Sequence, residues 1–228
     1  MDINRLTAAD LAGMIDHTNL KASAQKEDIE KLCREAADHH FRTVCVNPSW
    51  ITYCRGLLDG SGVDIAAVIG FPLGQMTISS KAYEAKDALM LGAKELDYVI
   101  NVSKLKDGDL DYFTEEMKIL TYICRERGAL IKVILETCYL TQDEIKAAVY
   151  TANLLEPDFL KTSTGFGPAG AKVEDVALMR SLADEHIRIK AAGGIRTWKD
   201  CRAMIEAGAD RIGASAGLQI LEEFGKYN

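Results

Sequence analysis

Leu130-Ile-Lys-Val-Ile-Leu135 is a short apolar run, and the pattern Thr141-Gln-Asp-Glu144 follows soon after it. The run is short and rich in Ile and Val, which indicates a strand buried on both faces, as in a parallel sheet. In the second stretch, the Thr hydroxyl and the Glu carboxylate can satisfy the free N–H groups of a first helical turn. Apolar residues then recur at helical spacing, at Ile145, Ala148, Val149 and Ala152. The segment therefore predicts a buried strand followed by an amphipathic helix.

The same strand-then-helix pattern recurs along the chain. Short apolar runs lie at Met14–Thr18, Thr43–Val46, Ile65–Gly70, Glu95–Asn101, Leu130–Leu135, Asp158–Thr162, Ile187–Ala192 and Arg211–Ala214. Eight units in 228 residues leave about 28 residues per unit, and no Pro- or Gly-rich linker interrupts them. This alternation predicts an α/β protein with a single domain over residues 1–228. Eight units favour a (β/α)₈ TIM barrel, because the alternative, an open doubly wound sheet, usually has about five or six strands.

The charge balance argues against some classes of partner. Lys and Arg number 27 and Asp and Glu 34, which gives a formal net charge of −7. An acidic chain without a basic run disfavours binding to nucleic acid. The first residues lack the pattern of a signal peptide, and no run of about eighteen apolar residues occurs. We therefore expect no nucleic-acid partner, no membrane partner and a cytoplasmic location.

The six cysteines and four histidines show no spacing typical of a metal site. The sequence contains neither a Cys-x-x-Cys pair nor a His-x-x-x-His pair, which are the local patterns of zinc and redox sites. We therefore expect free thiols, no bound metal and no cofactor.

Four charged residues lie within the apolar runs: Asp97, Lys132, Lys161 and Lys190. In a (β/α)₈ barrel, reactive groups gather near the carboxyl ends of the strands, where the loops to the following helices meet. Each residue also has a structural alternative, either as a paired charge inside the barrel or as a long side chain that extends to water.

Lys161 and Lys190 occupy matching places on consecutive predicted strands. Neighbouring strands lie about 4.8 Å apart, so the two ammonium groups can lie close together. Like charges at short range lower the pKa of at least one amine, and a neutral amine attacks carbonyl carbon. The pair therefore predicts Schiff-base chemistry. Asp97 can then serve as acid and base through a water molecule, or only as a counter-ion to the lysines.

Three turns that contain glycine lie in the second half of the chain. They are Thr162-Ser-Thr-Gly-Phe166, Gly193-Gly-Ile-Arg196 and Gly213-Ala-Ser-Ala-Gly217. Glycine allows backbone N–H groups to approach an anion, and helix N-termini favour phosphate oxygens. The loops after the seventh and eighth strands often bind phosphate in this fold. Each turn alone could be only a tight turn, but together they favour a phosphorylated substrate.

These motifs resemble those of the deoxyribose-phosphate aldolases, a family of class I aldolases. The resemblance runs through Ile15-Asp-His-Thr-Asn-Leu20, Val44-Cys-Val-Asn-Pro48, Gly70-Phe-Pro-Leu-Gly74, Glu95-Leu-Asp-Tyr-Val-Ile-Asn101, Lys132-Val-Ile-Leu-Glu136, Phe159-Leu-Lys-Thr-Ser-Thr-Gly-Phe166, Ile189-Lys-Ala-Ala-Gly-Gly-Ile-Arg196 and Arg211-Ile-Gly-Ala-Ser215. Its most specific part is the pair formed by the Lys-Thr-Ser-Thr-Gly-Phe and Lys-x-x-Gly-Gly-Ile-Arg motifs.

The resemblance implies a role for each matching residue. Lys161 would form the Schiff base, Lys190 would activate it and relay protons, and Asp97 would donate and accept protons. The residues that would hold substrate and its phosphate are Thr164, Gly165, Gly193, Gly194, Gly213 and Ser215. Four further residues would line the site, with less specific roles: Asp16, Thr18, Cys45 and Lys132.

The implied reaction is the reversible cleavage of 2-deoxy-D-ribose 5-phosphate to acetaldehyde and D-glyceraldehyde 3-phosphate, in deoxyribose catabolism. The implied partners are therefore phosphosugars and small aldehydes, with a homodimer as a candidate assembly. Two alternatives remain open on the sequence. One is a class I aldolase or isomerase with another phosphosugar substrate, and the other is a barrel that binds sugar phosphates without catalysis.

Two residues deserve comparison with the family pattern. Tyr98 stands beside Asp97 where an aliphatic residue or Met is expected, and strand alternation predicts that it faces away from the barrel axis. Some relatives carry a terminal tyrosine that is thought to help proton transfer. Whether Tyr227 has that role is open, since chain ends are commonly disordered.

Overall fold

The protein folds as a closed barrel of eight parallel strands. A computed structural model describes residues 3–227. Residues 4 and 227 are described without their side chains. The strands are β1 (Ile15–Asn19), β2 (Thr43–Val46), β3 (Asp64–Ile69), β4 (Glu95–Val99), β5 (Leu130–Ile134), β6 (Phe159–Lys161), β7 (Arg188–Ala192) and β8 (Arg211–Ala214). Each strand pairs in parallel with the next, and β8 pairs with β1. The predicted (β/α)₈ TIM barrel is confirmed. The question about the Tyr227 side chain lies outside the described part.

Helices connect the strands and cover the outside of the barrel. They are α1 (Ala8–Gly13), α2 (Lys26–His39), α3 (Ile51–Leu57), α4 (Ile78–Leu91), α5 (Val102–Lys106), α6 (Leu110–Arg125), α7 (Gln142–Leu155), α8 (Val173–Leu182), α9 (Trp198–Glu206) and α10 (Gly217–Tyr227). Within residues 3–227, no helix combines the length and the apolar character that crossing a membrane requires.

The predicted capping pattern before α7 is confirmed. The backbone N–H of Thr141 donates to Glu144 Oε2 at 2.6 Å, and the N–H of Glu144 donates to Thr141 Oγ1 at 3.3 Å. These two hydrogen bonds satisfy donors that a first helical turn otherwise leaves free. The helix therefore begins at Gln142, directly after Thr141.

Several strands end earlier than the apolar runs that predict them. The run Glu95–Asn101 continues past the end of β4 at Val99. Asn101 instead caps α5, where its Oδ1 accepts a hydrogen bond from the N–H of Lys104 at 3.2 Å. At β6 the strand ends at Lys161. This lysine therefore lies at the carboxyl end of its strand, the place where barrel enzymes carry reactive groups.

Most of the apolar core lies between the strands and the helices. Along β4, Leu96 and Tyr98 belong to this outer core, whereas Glu95 and Asp97 alternate with them and face the barrel interior. The prediction that Tyr98 faces away from the barrel axis is therefore confirmed. Burial of each large apolar side chain contributes about 1.5–3 kcal/mol, so the many residues of the strand–helix interface contribute strongly to stability.

A smaller apolar cluster is separate from this outer core. It consists of Leu20, Cys45, Ala66 and Val68, with Phe71 packed against it. These residues come from β2, β3 and the loops after β1 and β3. The remaining strands supply charged side chains to the interior.

Candidate active site

Seven charged side chains meet inside the barrel. They are Asp16 on β1, Glu95 and Asp97 on β4, Lys132 on β5, Lys161 on β6, Lys190 on β7 and Arg211 on β8. All are buried, and Arg211, the most exposed of the seven, exposes 4% of its surface. Removing a charge from water costs several kcal/mol unless oppositely charged partners compensate. The cluster is therefore stable only if its members pair with one another.

Asp97 lies at the centre of this cluster. Its Oδ2 accepts hydrogen bonds from the Nζ atoms of Lys161 and Lys190, each at 2.7 Å. Its Oδ1 accepts a hydrogen bond from Lys132 Nζ at 2.6 Å. The Cα atoms of Lys161 and Lys190 are register partners on β6 and β7. The structure thus brings together the four charged residues that the apolar runs of the sequence single out.

Asp16 and Glu95 complete the pairing on the other side of the lysines. Asp16 accepts hydrogen bonds from Lys190 Nζ and, at 2.7 Å, from Arg211 Nη1. Glu95 Oε2 lies 2.6 Å from Lys132 Nζ and 3.0 Å from Arg211 Nη1. Each cation in the cluster therefore contacts a carboxylate, and the cluster holds its side chains in a fixed arrangement.

The cluster has one more cation than it has carboxylates. Four cations and three carboxylates give a net charge of +1 when every group is ionised. Burial lowers the pKa of Lys161 below the ordinary value, and the nearby charge of Lys190 adds to this effect, against the opposing influence of Asp97. Burial acts in the same direction on Lys190, but Asp16 and Asp97 outweigh it and raise its pKa. Of these two lysines, Lys161 is the one that loses its proton more readily.

The two central carboxylates stay ionised. Burial by itself would raise the pKa of Asp97, but Lys132, Lys161 and Lys190 together hold that pKa well below the ordinary value. The pKa of Asp16 is lowered in the same way, because Lys190, Lys132 and Arg211 outweigh the effect of burial. Near neutral pH, a carboxylate that can accept a proton therefore lies within hydrogen-bonding distance of the Lys161 amine.

A cleft of about 410 Å³ opens above Lys161, between the loops that follow β1, β6, β7 and β8. Among its lining residues are eight that the sequence assigns to the site: Thr18, Lys161, Thr164, Gly165, Gly193, Gly194, Gly213 and Ser215. The other five, Asp16, Cys45, Asp97, Lys132 and Lys190, are buried in the barrel interior. Burial raises the pKa of the Cys45 thiol. Lys161 is thus the member of the charged cluster that lines the cleft.

Glycines allow the walls of the cleft to approach one another closely. Gly165, Gly193 and Gly194 have φ angles of 88°, 87° and 80°, a region that other residues rarely adopt. A Cβ atom on Gly193 would lie 3.0 Å from the Cα of Gly170 and 3.3 Å from that of Gly165. The loops after β6 and β7 are therefore packed backbone against backbone, which leaves no room for side chains at their contact.

A second glycine contact lies at β8. A Cβ atom on Gly213 would lie 3.1 Å from Lys190 Cε and 2.9 Å from the Cβ of Ala192. The strand then leads through Ser215 to the N-terminus of α10 at Gly217. Helix N-termini carry free N–H groups and a partial positive charge, which favour phosphate oxygens. One end of the cleft is therefore suited to an anion, and its floor carries an amine.

Comparison with known proteins identifies the family. The family model described as "DeoC/LacD family aldolase" matches residues 8–223. The chain belongs to this family. It is an aldolase, and the buried amine, the adjacent carboxylate and the glycine-rich end of the cleft all lie within the matched residues.

Several relatives match the aldolase over nearly its full length. The deoxyribose-phosphate aldolase of Lactobacillus acidophilus is 50% identical over 218 residues, which cover 96% of this chain and 92% of the relative. That of Bacteroides thetaiotaomicron is 50% identical over 222 residues, covering 97% and 93%.

The fold of the aldolase also matches solved structures over nearly the whole chain. The structure described as "QR15, an Aldolase" has a TM-score of 0.89 and 41% identity, and the match covers 95% of this chain and 96% of that one. The deoxyribose phosphate aldolase from Aeropyrum pernix, described as tetrameric, has a TM-score of 0.91 and 35% identity, with 99% and 96% covered.

Two members of the charged cluster in the aldolase were missed in the sequence. Glu95 and Arg211 are the first residues of β4 and β8. A charge at the start of a strand commonly faces water, so the local pattern gave no reason to place these residues inside the barrel. The available signal was their position: each lies two residues before another inward-facing residue, Asp97 and Gly213, and residues two apart share a face of a strand.

Within the described residues of the aldolase, no group of three or more His, Cys, Asp and Glu side chains is arranged to hold a metal ion. The carboxylates of the barrel interior instead contact lysine and arginine side chains.

Proposed function

We propose that this aldolase reversibly cleaves 2-deoxy-D-ribose 5-phosphate to acetaldehyde and D-glyceraldehyde 3-phosphate through a Schiff base on Lys161. The observation that carries the proposal is the position of Lys161. Its amine lies at the floor of the cleft, and its Nζ is 2.7 Å from Asp97 Oδ2. The names of the relatives that are about half identical to this chain support the choice of substrate.

The first step is attack by the neutral amine of Lys161 on the aldehyde carbon, C1, of the open-chain sugar. The carbinolamine then loses water and becomes a protonated imine, or iminium ion. A neutral Lys161 leaves three cations and three carboxylates in the barrel interior, and the iminium ion restores the net charge of +1. The surrounding carboxylates therefore stabilise the positive charge of the iminium ion, just as they stabilise the positive charge of the Lys161 ammonium group.

The iminium ion accepts the electron pair of the bond that breaks. A base removes the proton from the C3 hydroxyl, the C3–O bond becomes a carbonyl, and the C2–C3 bond cleaves. D-Glyceraldehyde 3-phosphate leaves, and the electron pair of the broken C2–C3 bond forms the C1–C2 double bond of an enamine on Lys161. Protonation at C2 regenerates an iminium ion, and addition of water to it releases acetaldehyde and the free amine.

Asp97 and Lys190 move the protons in this proposal. Asp97 has a pKa well below the ordinary value, so it accepts a proton only transiently. Lys190 Nζ lies 2.7 Å from the same carboxylate oxygen and can pass that proton onward. A water molecule between Asp97 and the substrate would connect the relay to the reacting atoms. The charge of Lys190 also favours the neutral form of Lys161.

The phosphate of the substrate would bind at the glycine-rich end of the cleft. Gly165, Gly193 and Gly194 expose backbone in conformations that allow close approach, and Ser215 lies just before the N-terminus of α10. Free N–H groups in such places bind phosphate oxygens without a dedicated cation.

Reductive trapping tests the proposal directly. We expect acetaldehyde and borohydride to leave an ethyl group on the Lys161 amine, which peptide mass spectrometry would locate. Lys81, which is buried elsewhere in the protein, is an internal control and should remain unmodified. An excess of D-glyceraldehyde 3-phosphate should reduce the yield, because it consumes the enamine. The proposal would be contradicted if Lys161 were unmodified, or modified no faster than surface lysines.

The cellular location, the pathway, the extent of the domain and the assembly belong to the same proposal. We place the reaction in the cytoplasm, in the breakdown of deoxyribose, with residues 1–228 as one aldolase domain and a homodimer as the candidate assembly. Light scattering on the purified protein would measure its mass in solution, and a monomer would contradict the homodimer.

A further inference from the structure

Glu136 is a buried acid that the proposed mechanism does not use. It exposes 3% of its surface and lies just after β5, at φ 55° and ψ 61°. Residues other than glycine rarely adopt this left-handed conformation, which carries an energetic cost. The contacts of the Glu136 side chain therefore show what the strained backbone at this position provides.

Both carboxylate oxygens of Glu136 contact Thr164, in the loop after β6. Oε1 accepts a hydrogen bond from the N–H of Thr164 at 3.1 Å, and Oε2 accepts one from the Thr164 hydroxyl. The Thr164 hydroxyl oxygen in turn accepts a hydrogen bond from the N–H of Phe166 at 3.0 Å. A chain of three hydrogen bonds thus fixes the residues on both sides of Gly165.

The backbone around Glu136 is anchored to the same loop. The N–H of Leu135 donates to the carbonyl of Lys161 at 2.9 Å, and the N–H of Thr137 donates to the carbonyl of Thr162 at 2.9 Å. These two bonds flank Glu136 and extend the pairing of β5 and β6 beyond the strand ends. The backbone at Glu136 is therefore anchored to the loop after β6 independently of the carboxylate.

The loop at residues 164–167 lies between two cavities and packs mainly through Gly165 against Gly193 and through Phe166 against Phe71. The cleft above Lys161 lies on one side, lined by Thr164, Gly165 and Phe166. A second cavity of about 380 Å³ lies on the other, lined by Glu136, Thr164, Phe166 and Gly167. Because the two cavities limit the packing of this loop, the hydrogen bonds to Glu136 contribute substantially to its position.

We propose that Glu136 is a positioning residue for the phosphate of the substrate, acting through Thr164 to hold Gly165 in the phosphate-binding end of the cleft. This inference rests on the proposed function, because it takes a phosphorylated sugar as the substrate. Gly165 packs against Gly193, whose added Cβ would lie 3.3 Å from the Gly165 Cα. Displacement of the loop after β6 would therefore also disturb the loop after β7.

Glu136→Gln tests this role with little change in size. Gln has one oxygen and one NH₂ group, so when its oxygen accepts from the Thr164 N–H, the NH₂ group replaces the oxygen that accepts from the Thr164 hydroxyl. We expect the preference for 2-deoxyribose 5-phosphate over unphosphorylated 2-deoxyribose, as a ratio of kcat/KM values, to fall about tenfold through a higher KM. Glu144→Gln is the matched control: Glu144 caps α7 and contacts Lys106, and its loss should leave the ratio unchanged.

Equal losses for both substrates in E136Q would indicate a merely structural role and overturn the proposal, as would an unchanged ratio or an equal effect in E144Q. Should E136Q fail to fold, Glu136→Asp keeps the charge but shortens the reach to Thr164. A smaller fall in the same ratio would then support the proposal, and an unchanged ratio would overturn it.

A binding measurement separates this inference from the proposed function. Calorimetry with inorganic phosphate needs no turnover and no Schiff base. We expect E136Q to bind phosphate about tenfold more weakly than the wild type. Equal binding, or no binding to the wild type, would overturn the role of Glu136. Failed trapping on Lys161 would instead overturn the proposed function and leave this test valid.

Discussion

Two lysines of this aldolase are buried beside carboxylates, in different layers of the barrel. Lys81, on α4, lies in the helical layer and is fully buried; its Nζ donates to Glu116 Oε1 at 2.6 Å and to the carbonyl of Val99 at 2.7 Å. The other oxygen of Glu116 accepts a hydrogen bond from the N–H of Asn101 at 2.9 Å. Lys161 instead lies inside the barrel and shares its carboxylate with two further lysines.

Burial lowers the pKa of both lysines, against the opposing charge of Glu116 in one case and of Asp97 in the other. A lowered pKa alone therefore does not distinguish a reactive lysine from a structural one. Access does, because Lys161 lines a cleft of about 410 Å³, whereas Lys81 is enclosed with a carboxylate of its own. The comparison teaches that a buried lysine becomes a candidate nucleophile when a cavity reaches it and cations outnumber carboxylates around it.

Removing the amine of Lys161 is expected to give the largest effect. Lys161→Ala should lower kcat/KM for 2-deoxyribose 5-phosphate more than about a thousandfold, because the proposed Schiff base forms on this amine, the one in the cluster that lines the cleft. The fold should survive, since Asp97 keeps Lys132 and Lys190 as partners. Steady-state kinetics and circular dichroism would test both statements. A well-folded variant with substantial activity would show that Lys161 is not the nucleophile.

The corresponding change at Lys81 should affect stability instead. Lys81→Met leaves Glu116 buried without its partner and should lower the free energy of unfolding by about 3–5 kcal/mol. The double variant K81M/E116L should recover most of this loss, because it removes both charges. Urea unfolding measures the stability. Activity that collapsed in the folded K81M protein would contradict a purely structural role.

Removing the charge of Lys190 should have an intermediate effect. A neighbouring cation disfavours the charged form of Lys161, so Lys190→Leu should raise the pKa of Lys161. Each unit of that rise lowers the neutral fraction, and with it the activity at neutral pH, about tenfold. The ascending limb of the pH profile of kcat/KM should move to higher pH. K81M is the control, and its ascending limb should stay in place.

Protonation of buried carboxylates at acid pH should give the smallest effect on stability, and this effect has opposite signs at Asp97 and Glu116. The pKa of Asp97 is depressed in the folded state, so its contribution to stability is present above about pH 4 and is lost as the pH falls through the folded pKa. Burial raises the pKa of Glu116, so protonation of Glu116 favours the folded state as the pH falls through its folded pKa.

Unfolding free energies between about pH 3 and 6 would separate the two contributions. Asp97→Asn should make stability fall less steeply on acidification, and Glu116→Gln should make it fall more steeply. Parallel curves for the two variants and the wild type would contradict the assigned directions.

The sequence predicted the barrel and the four charged residues that meet around Asp97 because both depend on local patterns. Eight short apolar runs are visible without knowing which strands meet. A charge such as Asp97 or Lys161 stands out because strand neighbours in an apolar run are buried. The glycines near the carboxyl ends of β6, β7 and β8 were equally visible, since they lie within or shortly after the apolar runs.

Other parts of the site depend on contacts between distant residues. Lys81 and Glu116 lie on separate helices, where single charges are expected to face water, and no local pattern links them. Glu136 comes after its strand has ended, and its left-handed backbone lies between Leu135 and Thr137, whose N–H groups bind the carbonyls of Lys161 and Thr162. Such features follow from the closed barrel rather than from any single segment.

The charged cluster also bears on how the chain folds. Asp16 comes from the first strand, and its partners Lys190 and Arg211 lie 174 and 195 residues later, on the last two strands. A barrel in which β8 has not met β1 would leave Asp16 without these partners as it loses water, so partly assembled forms are disfavoured. Contacts so distant in sequence form slowly and late. Formation of the Asp16–Arg211 ion pair during refolding would therefore report the moment at which β8 meets β1.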